Sequence, residues 1–302
     1  MTRTVRLYRV RIDPGDERGS RLVLTVDGRA LDLTRWLKDH APTSPSDVCG
    51  LLAQGFFESA SIERALRTGH WLEIEQPREL DLPIEARSVG KILALGKNFR
   101  EHAAEFGEAV PEQPLFFNKL PETLRASGAT VKVPRWYTAR VDHEVELAVV
   151  IGREGYEIEE ARALEHVAAY TVANDLTART LQGDDRALKY PWFRAKNLDG
   201  FCPLGPCLVP RDFLDVSALR VSARVRHRDG TEELRQDAST ADLIVTVPRA
   251  LAWLSRHLTL RPGDLVLMGT PAGVGALEHG DTVVCAVERI GELVTPIDRG
   301  QA

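Results

Sequence analysis

Hydrophobic and polar positions change period several times along the chain, and each change marks an element. The runs "RLYRVRI" and "RLVLTVDGRALDL" alternate every second residue. Asp27-Gly28 interrupts the second run, which predicts strands joined through a tight hairpin turn. "TSPSDVCGLLAQGFFES" then takes up a helical period: Ser44 is placed to cap, Pro45 suits the first turn, and Val48, Leu51, Leu52 and Phe56 fall on one face. "EQPRELDLPIEARSVG" breaks all periodicity with prolines and charges. The division therefore falls there, with a small N-terminal α+β accessory domain over residues 1–83 and one larger domain over 84–302. In the larger part, short aliphatic runs ("ELAVVIG", "CLVP", "LIVTVP", "DLVLMGTP", "TVVCAV") are spaced by Gly, Pro and Asp, with helical patterns near residues 159–168 and 247–257. The predicted class is α+β and sheet-rich.

Within "DHEVELAVVIG", residues 142–152, the apolar Val145, Leu147 and Val149 alternate with Glu144, Glu146 and Ala148. A period of two puts both glutamates on one strand face. Adjacent like charges repel, and burying them unpaired would cost several kcal/mol. Two readings follow: a solvated face, the common fate of an E-x-E, or a strand that holds a cation. The continuation into Val149, Val150 and Ile151 favours the second. The spacing is wrong for an H-E-x-x-H zinc helix. Asp175 in "YTVANDLTART" ends another apolar run; alone it reads as a turn residue or cap, whereas with the two glutamates it would complete an all-oxygen site for Mg²⁺, Mn²⁺ or Ca²⁺.

In "GKNFREHAAEFGE", Asn98 is placed to cap a helix, Glu101 completes a capping-box pattern, and His102 and Glu105 lie three apart on one face. Such a pair is either a surface contact or a general base with its orienting carboxylate, on a short helix that could act as a lid. Lys196 and Lys119 lie in apolar stretches that call for anionic partners. Gly269 and Thr270 follow a strand in "LVLMGTPAGVG", where N–H groups and a hydroxyl could hold a carboxylate. The loop is not G-x-G-x-x-G, so a dinucleotide is not expected.

Composition narrows the class of partner. The 302 residues, 43% of them hydrophobic, carry a formal net charge of -5 without a basic run, which argues against nucleic acid and for a small molecule. No apolar stretch approaches the ~20 residues of a membrane span, and the start lacks the apolar core of a secretory signal, so a cytoplasmic protein is expected. Four cysteines show neither C-x-x-C pairing nor the density of a disulfide scaffold; buried reduced thiols are expected, without zinc.

Six segments in this order, "GKNFREHAAEFG", "FFNKLPETL", "DHEVELAVVIG", "ANDLTART", "RAKNLDGFCPLGP" and "MGTPAGVG", together resemble the fumarylacetoacetate hydrolase superfamily over about residues 91 to 298. The resemblance implies a catalytic domain built as a mixed β-sandwich roll, usually homodimeric. It implies Mg²⁺ or Mn²⁺ (Ca²⁺ also fits) held by Glu144, Glu146 and Asp175. It further implies a lid dyad at His102 and Glu105, an active-site lysine at Lys196, and substrate contacts from Lys119, Gly269 and Thr270. Leu120, Thr123, Met268 and the run "KNLDGF" depart from the family's commoner residues, all along the expected substrate pocket. The function implied is metal-dependent hydrolysis of a C–C bond in an acylpyruvate or related 2,4-dioxo acid. There the ion stabilises the departing pyruvate enolate and the dyad activates water. Oxaloacetate decarboxylation and isomerisation of a hydroxymuconate-type diacid use the same parts. A non-catalytic binding protein is disfavoured, because every polar position of the motif set is filled. His143 either orients a ligand or stabilises its strand.

Overall fold

A computed structural model describes residues 3–11, 20–45, 47–69, 71–72, 79–101 and 112–300. The expected hairpin forms: β2 (Ser20–Val26) pairs antiparallel with β1 (Val5–Arg11) and turns into β3 (Arg29–Asp32). Both turn residues are left-handed, Asp27 at φ 49° and Gly28 at 80°, as a two-residue turn matching the strand twist requires. Helices α1 (Leu33–His40), α2 (Val48–Ala53) and α3 (Ser59–Thr68) follow. The α2 cap is Asp47 rather than Ser44, its carboxylate accepting the Gly50 N–H at 2.8 Å. Val48, Leu51 and Leu52 are buried as the period predicts, and Phe56 is buried from beyond the helix end.

The rest of the chain adds β4 (Trp71–Leu72), β5 (Ile92–Gly96), β6 (Leu115–Lys119), β7 (Leu124–Ala126), β8 (Val131–Lys132), β9 (Val141–Asp142), β10 (Val145–Ile151), β11 (Val167–Asn174) and β12 (Thr177–Ala178). Then come α4 (Arg179–Ala187), α5 (Phe193–Lys196), β13 (Cys202–Pro210), β14 (Arg220–Arg226), β15 (Glu232–Ser239), α6 (Val247–Ser255), β16 (Leu265–Leu267), β17 (Thr282–Val287) and β18 (Gly291–Asp298). Among the described residues one large mixed sheet runs β4-β3-β2-β1-β13-β11-β10-β16-β5-β6, with β7 beside β13. A second sheet runs β15-β14-β17-β18-β8. The first segment enters the large sheet through β1, which pairs with β13 at Leu7 and Leu208.

Two cores result. One lies between the sheets, where Leu147, Val149, Tyr170 and Val172 meet Val221, Ala223, Val283 and Cys285. The other lies between the opposite face of the large sheet and α1 to α3, where Ala148, Val150, Leu265 and Leu267 meet Trp36, Leu51 and Ile62. The alternation read in β10 thus separates two buried faces, which explains why the strand shows no exposed position.

Two further sequence expectations change. The helical pattern near 159–168 is a 3-10 segment over Glu160–His166, because Ala168 already belongs to β11. "LIVTVP" is not a strand: Leu243 makes an isolated bridge to Phe99, and Val247 opens α6 with Pro248 in its first turn, where a missing N–H costs nothing. Cys202, Cys207 and Cys285 are buried and Cys49 partly so, all as free thiols. No described helix is long and apolar enough to cross a membrane.

Candidate active site

The pairing of β10 with β11 assembles the site. Val145 lies opposite Asn174, which puts Glu144 and Glu146 on either side of that pair and Asp175 just past it. The junction is held by Asp175 N–H donating to the Glu144 carbonyl at 2.8 Å and by Glu144 N–H donating to Asn174 Oδ1 at 3.0 Å. Glu144, Glu146 and Asp175 are 4%, 1% and 0% exposed, and each offers a carboxylate oxygen within 4.8 Å of the others. Three carboxylates at this spacing cannot all stay ionised without positive charge nearby.

The chain supplies part of that charge. Lys196, at the end of α5, donates to Glu144 Oε2 at 2.7 Å and Asp175 Oδ2 at 2.6 Å, with its ammonium 4.9 Å from the Phe117 ring centre. Lys119 lies 2.7 Å from Asp175 Oδ1 and donates to the Lys196 carbonyl. Arg179, the first residue of α4, donates to Glu144 and, at 2.8 Å, to Asp142 Oδ2. Glu146 Oε2 accepts the Gly269 N–H at 2.6 Å, and among the described residues no cationic side chain pairs with Glu146.

The titration behaviour follows. Burial first, then Asp175 and Glu144, push the Glu146 carboxyl well above the ordinary carboxylate range. Burial works against the Lys196 charge, yet Asp175 and Glu144 outweigh it and hold the ammonium above its usual value. Arg179 is raised in the same way: its desolvation is overcome by Glu144 and Asp142. Burial brings His143 down to about 4, so it is neutral near pH 7.

These observations suit a divalent ion. The donor set is all oxygen, buried and convergent, and Glu146 faces two carboxylates without a cation of its own, the imbalance that a hard cation corrects. Above the triad opens a cavity of about 250 Å³. Its walls include Phe117 and Trp192, and four cations among the described residues: Lys97, Arg179, Arg186 and Lys196. These outnumber the three carboxylates, so a cavity holding a divalent ion attracts anions. Burial, then Arg186, pulls the Lys97 ammonium below its ordinary range, as expected where two cations crowd one wall.

The structure brings Glu144, Glu146, Asp175, Lys196 and Thr270 to this one cavity. Lys119, expected to touch substrate, has a fully buried side chain that pairs with Asp175 and donates to the Lys196 carbonyl, and it is not among the described residues lining the cavity. Gly269, expected to offer its N–H to substrate, gives it to Glu146. Asn98 does not cap a helix: its amide donates to the Val245 and Met268 carbonyls at 3.0 and 2.8 Å, tying the strand end to the loop before α6. His102 and Glu105 lie outside the described residues.

Sequence reasoning missed Arg179, although it stands in the quoted "ANDLTART" with the charge that Glu144 needs. It also missed Gln182, Arg186 and Trp192 on the wall, and Gln236, which arrives from β15 and carries no local signal.

The sequence model described as "Fumarylacetoacetate (FAA) hydrolase C-terminal" matches residues 91–298. The oxaloacetate tautomerase YisK of Bacillus subtilis is 39% identical over 216 residues, 68% of this chain and 69% of its own length. The fumarylacetoacetate hydrolase from psychrophilic Exiguobacterium antarcticum superposes with a TM-score of 0.81 at 29% identity, covering 98% of this chain and 100% of that one. The fumarylpyruvate hydrolase of Pseudomonas aeruginosa, solved in complex with Mn²⁺ and pyruvate, superposes with a TM-score of 0.65 at 33% identity over 75% and 94% of the two chains.

Proposed function

Because this chain belongs to the fumarylacetoacetate hydrolase family, we propose that it is a divalent-metal-dependent enzyme that interconverts the keto and enol forms of an oxaloacetate-type 2-oxo diacid. The observation that carries this reading is the meeting of three buried carboxylates and Lys196 on the floor of a cation-walled cavity. A Mg²⁺ or Mn²⁺ ion held by Glu144, Glu146 and Asp175 would supply Lewis acidity toward the 2-oxo group.

The remaining work falls to the chain's own side chains. Lys196, anchored by Glu144 and Asp175, places fixed positive charge where the 2-oxygen becomes anionic. Lys119 and Arg179 keep those carboxylates from moving, so little reorganisation accompanies the reaction. Thr270 holds the carboxylate beside the 2-oxo group, and Lys97 with Arg186 receives the distal one. Removing the C3 proton and returning one there falls to His102 and Glu105.

Hydrolysis of an acylpyruvate is the second reading. It is favoured by the likeness to fumarylpyruvate hydrolase and by the His102 and Glu105 pattern, which would then activate water. We take the enzyme to be a cytoplasmic homodimer, to be checked by fractionation and light scattering.

Metal-stripped protein restored with Mg²⁺ or Mn²⁺ separates the readings. Oxaloacetate enol loss is followed by ultraviolet absorbance, and pyruvate release is measured from oxaloacetate, acetylpyruvate and fumarylpyruvate. Metal-dependent enol decay without pyruvate supports the tautomerase; pyruvate from a dioxo acid supports the hydrolase; pyruvate from oxaloacetate alone points to decarboxylation. Metal binding with none of these would discard the substrate class.

A further inference from the structure

We infer that Gln236 and His143 are positioning residues that orient the Thr270 hydroxyl, leaving its proton to be donated to an anionic acceptor in the cavity. The inference rests on the 2-oxo acid reading for the identity of that acceptor. The direction itself follows from the hydrogen-bond geometry.

Gln236 is fully buried on a strand whose neighbours Glu232, Glu233 and Leu234 are exposed. A register shift turns it inward: Gln236 lies opposite Ala223 and Leu234 opposite Arg224, leaving Arg235 as an extra residue. The glycine loop closes onto that bulge. A Cβ on Gly273 would lie 1.9 Å from the Arg235 carbonyl oxygen, so only glycine lets the loop bring Thr270 against Gln236.

Main-chain groups then decide which way the Gln236 amide faces. Val145 N–H, which can only donate, lies 3.2 Å from Oε1, and the Pro271 carbonyl, which can only accept, lies 2.8 Å from Nε2. The oxygen therefore faces β10 and the NH₂ faces the loop. His143 Nδ1, 3.0 Å from the same oxygen, has to carry the imidazole proton, and Nε2, buried without a partner among the described residues, is the bare nitrogen. The other Gln236 N–H points at Thr270 Oγ1, 2.8 Å away. Having accepted there, the hydroxyl keeps its own proton for another partner, and Thr270 lines the cavity.

A hydroxyl held in this sense favours a carboxylate oxygen at that place, whereas a ligand N–H or O–H there would have only the remaining lone pair to use and would leave the hydroxyl proton unpaired. Losing a hydrogen bond to a charged acceptor corresponds to roughly ten- to a hundredfold in affinity.

Two measurements test this. Long-range ¹H–¹⁵N spectra of the unligated protein, with His143 assigned by its absence in His143→Gln, are expected to show a neutral Nδ1–H tautomer; an Nε2–H tautomer overturns the relay whatever the substrate is. Calorimetry of oxalate binding to Mg²⁺-loaded protein supplies the second. Thr270→Val and Gln236→Met are each expected to weaken oxalate by about ten- to a hundredfold, the double variant by no more than either alone, and Thr270→Ser to retain affinity, with Mg²⁺ binding the same throughout. Multiplying effects, or unchanged oxalate binding in Gln236→Met, would overturn it. If oxalate fails to bind the unaltered protein, the 2-oxo acid reading falls, while the tautomer still decides the relay.

Discussion

The two ends of β10 both bury carboxylates, and they do so differently. At its far end Ile151 N–H donates to the Asp264 carbonyl at 2.9 Å. The Asp264 carboxylate accepts the Lys91 N–H at 3.0 Å and the Arg261 N–H at 2.7 Å, and pairs with the Lys91 ammonium. One charge meets several donors, and the group ties a turn to the sheet. At the near end Glu144, Glu146 and Asp175 crowd together, Glu146 lacks a cationic partner among the described residues, and a cavity opens on them. A buried carboxylate is therefore not in itself a site. It becomes one where carboxylates converge, one of them lacks a cationic partner among the described residues, and a ligand can reach them.

Substitutions should split the two ends cleanly. The largest effect is expected from Glu146→Ala, which removes one proposed ligand and about 4 kcal/mol of transition-state stabilisation, roughly a thousandfold in metal-dependent turnover. Chelation of the ion should mimic it, and added Mg²⁺ or Mn²⁺ should rescue the unaltered protein alone. Lys196→Met should follow, with kcat lower by about a hundred- to a thousandfold. Asp264→Ala should leave Mn²⁺ affinity unchanged while costing about 2–3 kcal/mol in denaturant unfolding, a figure held down because Lys91 is 28% exposed. Gly273→Ala should cost about 2 kcal/mol, since the residue sits at φ +95° against the Arg235 carbonyl. Arg220→Ala, removing an exposed pair with Asp237 that water and salt screen, should leave the denaturant midpoint unchanged within the precision of the measurement.

The near end was largely legible in the sequence because its information is local. Two glutamates at period two, one aspartate closing an apolar run, and a lysine among aromatic residues each leave a mark within a few positions. The first hairpin was readable for the same reason, through Asp27-Gly28. What escaped depends on pairing over long distances. Gln236 reaches Thr270 only because β15 bulges at Arg235 and a glycine loop folds over it. Lys119, for which the resemblance implied a substrate contact, pairs with Asp175, the anionic partner that its apolar segment called for, and the identity of that partner was set by tertiary packing. Asn98 looked like a cap because its short amide suits one, and that amide instead serves two loops distant in sequence.

The central claim is that Glu144, Glu146 and Asp175 together hold one divalent ion. Its most direct test is a Mn²⁺ titration of metal-stripped protein by calorimetry, with the ion located by anomalous diffraction. One Mn²⁺ per chain between the three carboxylates is expected, with binding lost in Glu146→Ala. No binding, an ion seated elsewhere, or unchanged affinity in the variant would contradict it.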